Sequence, residues 1–124
     1  MNLGYFPLEL LECTSIKLLR LDFNLIKFIP ENLAVIHSLE FLSISNNYLE
    51  TLPESLVNLS PTLKCLNLGK NCLTRIGPEI TNLSNLEVLY VYGNPLKTLP
   101  VDLTQLTKLK EFAIEWFKYC EHPL

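Results

Sequence analysis

Four asparagines recur at almost constant intervals along the chain, and this period constrains the fold more than any other feature. Asn24, Asn47, Asn71 and Asn94 are separated by 23, 24 and 23 residues. Each closes a segment of the form L-x-x-L-x-L-x-x-N, in which isoleucine or valine can replace a leucine. Sequence units of about 20 to 29 residues cannot bury their own apolar face and must stack on neighbours. The period therefore predicts a solenoid of short coils.

A second half follows each asparagine, so that the complete unit reads LxxLxLxxNxLxxLPxxLxxLxx. We interpret residues 1–124 as one domain. It would comprise a half repeat at 1–15, full repeats that start at residues 16, 39, 63 and 86, and a divergent terminal coil at 109–124. In the third full repeat, Pro61 adds a residue and Gly77 interrupts the usual leucine-proline pair. These irregularities predict a local bulge, because insertions in solenoids are tolerated in the loops.

The two halves of the unit predict different local structures. The apolar alternation of L-x-L indicates a strand with one buried face. A proline opens the return segment, where its missing N–H costs least, so we predict short helical or 3-10 turns there. These prolines are Pro30, Pro53, Pro78 and Pro100. Stacking then gives an α/β solenoid with a curved parallel sheet on the concave face and the turns on the convex face. The four asparagines are expected to form a ladder that bonds otherwise unpaired backbone groups.

The non-aliphatic strand positions define the accessible face of this sheet, where they should stack into columns. The columns are Leu18, Phe41, Cys65, Val88 and Glu111; Arg20, Ser43, Asn67, Tyr90 and Ala113; and Asp22, Ser45, Gly69, Tyr92 and Glu115. Grouped aromatic side chains with a polar rim are typical of protein-binding surfaces. Alternatively, these aromatics are simply good strand formers that pack together. The predicted partner-binding residues are Arg20, Asp22, Phe41, Ser43, Asn67, Val88, Tyr90, Tyr92 and Trp116.

The two ends of the stack differ in character. The first coil is only a half repeat with apolar Leu3, Tyr5 and Phe6, so the N-terminal coil is expected to be open. A partner, self-association with a second copy, or further sequence would cover it. At the other end Phe117 replaces the expected asparagine, and aromatic residues are predicted to close the last coil. They are Phe112, Trp116, Phe117 and Tyr119.

Charge and composition exclude several classes of partner. The net charge is -3 and no basic stripe is present, which argues against nucleic-acid binding. Charged or polar residues break every apolar run before bilayer length, so we expect no membrane insertion. The four cysteines show no disulfide-framework spacing, and Cys13 occupies a leucine position of the expected core. Reduced thiols and a cytoplasmic location are therefore expected.

No arrangement of residues points to catalysis. His37 and His122 lie near opposite ends of the chain, and the four glycines do not form a phosphate-binding loop. Cys120 and His122 lack the second pair of ligands that a zinc site needs. We therefore expect no enzyme activity, no cofactor and no metal.

This repeat unit resembles the leucine-rich repeats of intracellular proteins of the Scribble and Erbin type and of Ras-pathway scaffolds. The resemblance covers the chain from Leu3 to Ile114. The resemblance implies a curved solenoid that binds a protein on its concave face and has no enzyme activity of its own. It leaves two main alternatives: a scaffold or adaptor, or the regulatory part of a larger enzyme such as a kinase, phosphatase, GTPase or ubiquitin ligase. A secreted or receptor-derived repeat is a third possibility.

Overall fold

Short strands alternate with short helices in the computed structural model, which describes residues 3–98 and 103–114. The strands are β1 (Leu18–Arg20), β2 (Phe41–Ser43), β3 (Cys65–Asn67), β4 (Val88–Tyr90) and β5 (Glu111–Ala113). The 3-10 helices of the described residues span Leu8–Glu12, Leu33–Val35, Glu54–Leu59 and Leu103–Gln105, and an α-helical turn spans Pro78–Thr81. This alternation confirms the predicted strand and return turn of each coil.

The five strands form one parallel sheet in the order β1-β2-β3-β4-β5. Its register places Leu18 beside Phe41, then Cys65, Val88 and Glu111. It also aligns Arg20, Ser43, Asn67, Tyr90 and Ala113. The first two predicted columns are therefore confirmed, because each coil repeats the same backbone path one strand spacing further along.

The core lies between the sheet and the return turns. The central residue of β2, β3 and β4 is a leucine with no exposed surface, at Leu42, Leu66 and Leu89. Aliphatic residues of the return turns, such as Ile36 and Leu59, pack into the same core cluster. Burial of one such side chain stabilises the fold by about 1.5–3 kcal/mol. Because each coil shares this core with its neighbours, stability is a property of the stack.

The asparagine side chains connect consecutive coils by hydrogen bonds. The Oδ1 atom of Asn47 accepts from the Ile26 N–H of the preceding coil at 3.0 Å, and its Nδ2 donates to the Leu21 carbonyl at 2.9 Å. That carbonyl also accepts from Asn24 Nδ2 at 3.0 Å. The same sharing occurs at the carbonyl of Ile44, between Asn47 and Asn71, and at that of Leu68, between Asn71 and Asn94. Buried amides and backbone groups thus satisfy one another along the solenoid.

The residue before each ladder asparagine adopts a left-handed backbone conformation. The φ angles are +58° at Phe23, +55° at Asn46, +54° at Lys70 and +71° at Gly93. Glycine takes this conformation without a steric penalty, whereas other L-residues pay about 1–2 kcal/mol. At the three positions that are not glycine, the packing of the stacked coils must therefore compensate for this steric penalty.

The return turns follow the predicted proline positions where these are described. Pro53 precedes the helix Glu54–Leu59 with φ -70°, and Pro78 is the first residue of the α-helical turn. The Pro30 carbonyl accepts from Leu33 N at 3.2 Å at the start of another turn. Pro100 lies outside the described residues. The residue added at Pro61 lengthens the turn that follows the helix Glu54–Leu59, as predicted for an insertion.

The first coil differs from the expected packing at one position. Cys13 is exposed, so its predicted place in the core is wrong. It directly follows the helix Leu8–Glu12, which contributes no buried residue, and its backbone N–H closes the turn by bonding the Leu10 carbonyl. In the same coil Phe6 is buried, whereas Tyr5 and Leu8 are exposed. Within the described residues, no helix is long and apolar enough to cross a membrane.

Candidate functional site

The accessible face of the sheet, here called the concave face, consists of the side chains of the three predicted columns. The first two columns follow from the strand register given above. The third continues beyond the strands, where the backbone N–H of Phe23 bonds the Ser45 carbonyl at 3.0 Å. In the next coils, Asn46 N bonds the Gly69 carbonyl and Lys70 N bonds that of Tyr92. Glu115 and Trp116, which were predicted to extend this face, lie outside the described residues.

Arg20 dominates the half of the face formed by β1 and β2. Its guanidinium carbon lies 4.6 Å from the centroid of the Phe41 ring on the adjacent strand. Its NH1 atom lies 3.8 Å from Asp22 Oδ2, and 59% of its side chain is exposed. A cation over an aromatic face is attracted by the ring quadrupole. Arg20 is therefore held in place while its charged end stays accessible.

Asp22 is fixed by the following coil. Its Oδ1 atom accepts hydrogen bonds from Ser43 Oγ at 2.6 Å, from Ser45 N at 2.8 Å and from Ser45 Oγ at 2.9 Å. As a result Ser43 is completely buried. The prediction that Ser43 is an accessible contact residue is therefore wrong, because Asp22 covers its hydroxyl. Ser43 instead orients the carboxylate that lies next to Arg20.

Two tyrosines dominate the half of the face formed by β3, β4 and β5. The ring centroids of Tyr90 and Tyr92 are 6.3 Å apart, and the ring planes are tilted by 58°. The Tyr92 ring lies against the backbone of Gly69, since a Cβ atom at that glycine would stand 2.6 Å from Tyr92 Cζ. Both tyrosines remain partly exposed. Gly69 was placed in this column by the repeat, but its function as a seat for an aromatic ring was not predicted.

Glu111 belongs to the same half of the face, although it was not among the predicted binding residues. The Tyr90 hydroxyl donates a hydrogen bond to Glu111 Oε2. This hydrogen bond is the main reason why the pKa of Tyr90 is raised, with burial and the Glu111 charge acting in the same direction. The strand register pairs Val88 with Glu111 and Tyr90 with Ala113, so the contact runs diagonally between neighbouring strands. Such diagonal neighbours are within reach of long side chains.

The middle of the face is less polar. Val88 and Cys65 are half-buried beside each other. Burial raises the pKa of the Cys65 thiol, the Arg20 charge opposes this, and the Glu111 charge adds to it. Asn67 uses its side-chain oxygen to accept from Gly69 N at 3.0 Å, so part of its polar capacity serves its own strand end.

An alternating column of charges borders the concave face and was not predicted. It contains Lys17, Glu40, Lys64, Glu87 and Lys110, one residue before each strand. Lys64 Nζ lies 3.9 Å from Glu40 Oε1, and Lys110 Nζ lies 3.4 Å from Glu87 Oε1. Exposed ion pairs contribute about 0–1 kcal/mol each. The signal was present in the sequence, because residues at equal positions of successive repeats alternate in sign.

The described residues hold no group of three or more histidine, cysteine, aspartate and glutamate side chains that could bind a metal. His37 lies on the exposed surface after the turn Leu33–Val35. Cys120 and His122 lie outside the residues that the structure describes. What the geometry does present is an aligned face with aromatic, cationic and hydroxyl groups, which is suited to contact with another molecule.

Comparisons with known proteins agree with the observed architecture. Residues 37–96 match the family described as Leucine rich repeat. No curated protein matches the chain significantly. A leucine-rich repeat protein of Leptospira interrogans is similar in structure, with 34% identity and a TM-score of 0.86 over 92% of this chain and 29% of that one. Internalin C2 of Listeria monocytogenes shows 27% identity and a TM-score of 0.78 over 90% of this chain and 47% of that one.

A third similar structure is that of the Arabidopsis receptor kinase HAESA in complex with the peptide hormone IDA and the co-receptor SERK1. It shows 27% identity and a TM-score of 0.71, and the match covers 89% of this chain and 24% of that one. The chain thus spans less than half the length of each of these structures. Together with the 23-residue period and the parallel sheet, these likenesses show that the described coils have the fold of a leucine-rich repeat solenoid.

Proposed function

We propose that the chain is a non-catalytic interaction module, a scaffold or adaptor, that binds a protein partner on its concave face. The observation that carries this proposal is the alignment of partly exposed apolar and aromatic side chains on one rigid sheet. Phe41 lies on β2, Val88 and Tyr90 lie on β4, and Tyr92 follows β4. Side chains of this kind supply large contact areas and are frequent hot spots of protein interfaces.

The rigidity of the face supports the same proposal. Tyr92 is seated on Gly69, Arg20 is stacked on Phe41, and Asp22 is fixed by the two serines of the next coil. Side chains that are already ordered lose less entropy when a partner binds. A preformed surface of this kind suits recognition of a partner.

The similar structures are compatible with a binding function. HAESA was solved with a peptide hormone and a co-receptor bound, and leucine-rich repeats in general mediate protein interactions. We extend this property to the present chain as part of the proposal. The Scribble and Erbin resemblance and a cytoplasmic location belong to the proposal as well. Among the described residues, Cys13, Cys65 and Cys72 are free cysteines.

A second candidate function is the recognition part of a larger enzyme. The observation that favours it is the similarity to the solved structure of a receptor kinase. This chain covers 24% of the chain in that structure. An antibody against the present chain would decide between the two in the source cells. A native protein of much larger mass that co-purifies with kinase, phosphatase or ubiquitin-ligase activity would support the enzyme. A native protein without such activity would support the independent module.

The binding proposal is tested by affinity capture with three forms of the chain. They are the wild type, a concave-face variant with Tyr90→Glu and Tyr92→Glu, and a control variant with Phe28→Glu and Tyr48→Glu. The control changes two exposed aromatic residues outside the sheet and carries the same added charge. Circular dichroism first verifies that all three forms are folded.

We expect specific proteins to bind to the wild type and to the control, and to be lost with the concave-face variant. A carboxylate forced into an apolar interface loses its hydration without gaining a partner, which is costly. Equal capture by the concave-face variant would contradict the proposal. Failure of all three forms to capture any specific protein would contradict it too.

A further inference from the structure

The hydrogen-bonding groups of the concave face are not equally satisfied, and this difference bears on the chemistry of the partner. Both of its described carboxylates already have partners. Asp22 Oδ1 accepts three hydrogen bonds, and Asp22 Oδ2 lies near Arg20. Glu111 accepts the hydrogen bond of the Tyr90 hydroxyl. Asp22 is therefore poorly placed to attract a basic ligand, and one of the two oxygens of Glu111 is engaged as well.

Arg20, in contrast, keeps unused donors. Its guanidinium makes one ionic contact of 3.8 Å and donates no hydrogen bond to any group of residues 3–98 and 103–114. A guanidinium carries five N–H donors in a planar fork that matches the two oxygens of a carboxylate. Stacking on Phe41 orients this fork, and more than half of the side chain is exposed. The group is thus prepared for a carboxylate from outside the chain.

The position of the tyrosines fixes the direction of a bound segment. Arg20 lies on β1 and Tyr90 lies on β4, three strands away in the same sheet. At about 4.8 Å between neighbouring strands, the two sites are about 14 Å apart. An extended chain rises by about 3.3 Å per residue, so about four residues bridge this distance. A segment that contacts both sites must run across the strands.

We propose that the concave face binds an extended acidic peptide segment of a partner protein. A side-chain carboxylate of this segment binds Arg20, and an aromatic or large aliphatic side chain about four residues away packs on Tyr90 and Tyr92. The inference rests on the proposed function and specifies the chemistry of its partner. The unused donors of Arg20 select the acidic end, and the ring seated on Gly69 selects the apolar end.

The test is a selection of peptides from a random library displayed on phage. The library is panned separately on the wild type, on Arg20→Gln and on Tyr92→Ala. From the wild type we expect peptides in which aspartate or glutamate stands three to five residues from an aromatic or large aliphatic residue. Both variants should fail to enrich this pattern. The selected peptide is then synthesised with its acidic residue and with the matching amide.

Affinities of the two synthetic peptides then isolate the contact with Arg20. Arg20→Gln and the amide replacement should each weaken binding about ten- to a hundredfold, the range of a charge-assisted hydrogen bond. The two losses should not add, because both changes remove the same interaction. Arg20→Lys, which keeps the charge but not the planar fork, should retain part of the affinity. It serves as a conservative control in case Arg20→Gln does not fold.

Each remaining outcome has a defined meaning. Peptides that need Tyr92 but bind equally well to Arg20→Gln would overturn the acidic segment and leave the proposed binding face intact. Enrichment of basic peptides, or of peptides without an acidic residue, would do the same. Peptides that are indifferent to both variants, or no enrichment at all, would contradict both the acidic segment and the binding face.

Discussion

Replacement of Asn47 by leucine should destabilise the solenoid without touching the concave face. The side chain of Asn47 is buried and connects the second full coil to the first. Leucine has the same branched arrangement of heavy atoms, although its methyl groups are larger, and it can neither accept nor donate a hydrogen bond. The change therefore removes one rung of the asparagine ladder and leaves its neighbours Asn24 and Asn71 in place.

The expected cost follows from which backbone groups lose their last partner. The Leu21 carbonyl keeps the hydrogen bond from Asn24, and the Ile44 carbonyl keeps that from Asn71. The Ile26 N–H loses the Oδ1 acceptor of Asn47 and remains buried. One unsatisfied buried donor costs about 1–3 kcal/mol, and weakened bonds to the shared carbonyls bring the sum to about 2–4 kcal/mol. With an unfolding entropy of about 2.1 cal/mol/K per residue, the melting temperature should fall by about 8–15 °C.

Thermal and urea denaturation followed by circular dichroism would measure this loss. Asn58→Leu is the matched control, because Asn58 is exposed in the helix Glu54–Leu59 and its side chain forms no hydrogen bond with any residue of 3–98 and 103–114. Surface changes of this kind usually stay within about 0.5 kcal/mol. If Asn47→Leu and Asn58→Leu unfold at the same temperature, the ladder does not stabilise the stack and the reasoning fails.

Two further predictions concern the turn before the ladder and the alkaline titration of the face. Gly93→Ala should lower the free energy of unfolding in urea by at least about 1–2 kcal/mol, because φ is +71° and the added Cβ would stand 3.1 Å from the Lys70 backbone. Unchanged stability would refute this prediction. Lys70→Gly should raise the free energy of unfolding. The pKa of Tyr90 is raised from its ordinary value of 10.0 mainly by the hydrogen bond to Glu111. The stability that this hydrogen bond confers is therefore present below pH 10 and is lost as the pH rises through the folded-state pKa of Tyr90. Phenolate absorbance should show that Glu111→Gln lowers this pKa, and an identical titration curve would exclude the contact.

The repeat period made the backbone predictable to a large extent. Since every coil follows the same path, the strand register and the asparagine positions can be read from intervals of 23 or 24 residues. The contacts between particular side chains were harder to predict from the sequence. Asp22 buries Ser43, and Tyr92 rests on Gly69, because residues from two different repeats happen to complement each other. A pattern that averages over repeats identifies a column but does not contain such pairwise matches.

The same distinction explains why Cys13 was misplaced. Equal spacing assigned it to a core position, but the first coil has no described coil before it against which this residue could be buried. Burial in a solenoid depends on neighbours on both sides, so the repeat pattern is least informative at the ends of the stack. The exposure of Tyr5 and Leu8 has a different cause, because the equivalent residues of the next coil, Phe28 and Glu31, are exposed as well.

The ladder and the concave face use different side chains, so effects on affinity and effects on stability can be measured separately. In the part of the chain that the structure describes, the ladder asparagines bond only backbone groups, whereas Arg20, Tyr90 and Tyr92 make their side-chain contacts within the face. Substitutions on the face should therefore change affinity while they lower the melting temperature much less than Asn47→Leu does. Asn47→Leu should leave affinity unchanged below its own melting temperature. This reciprocal pattern is expected only if the repeated positions hold the stack and the variable positions of the strands recognise the partner.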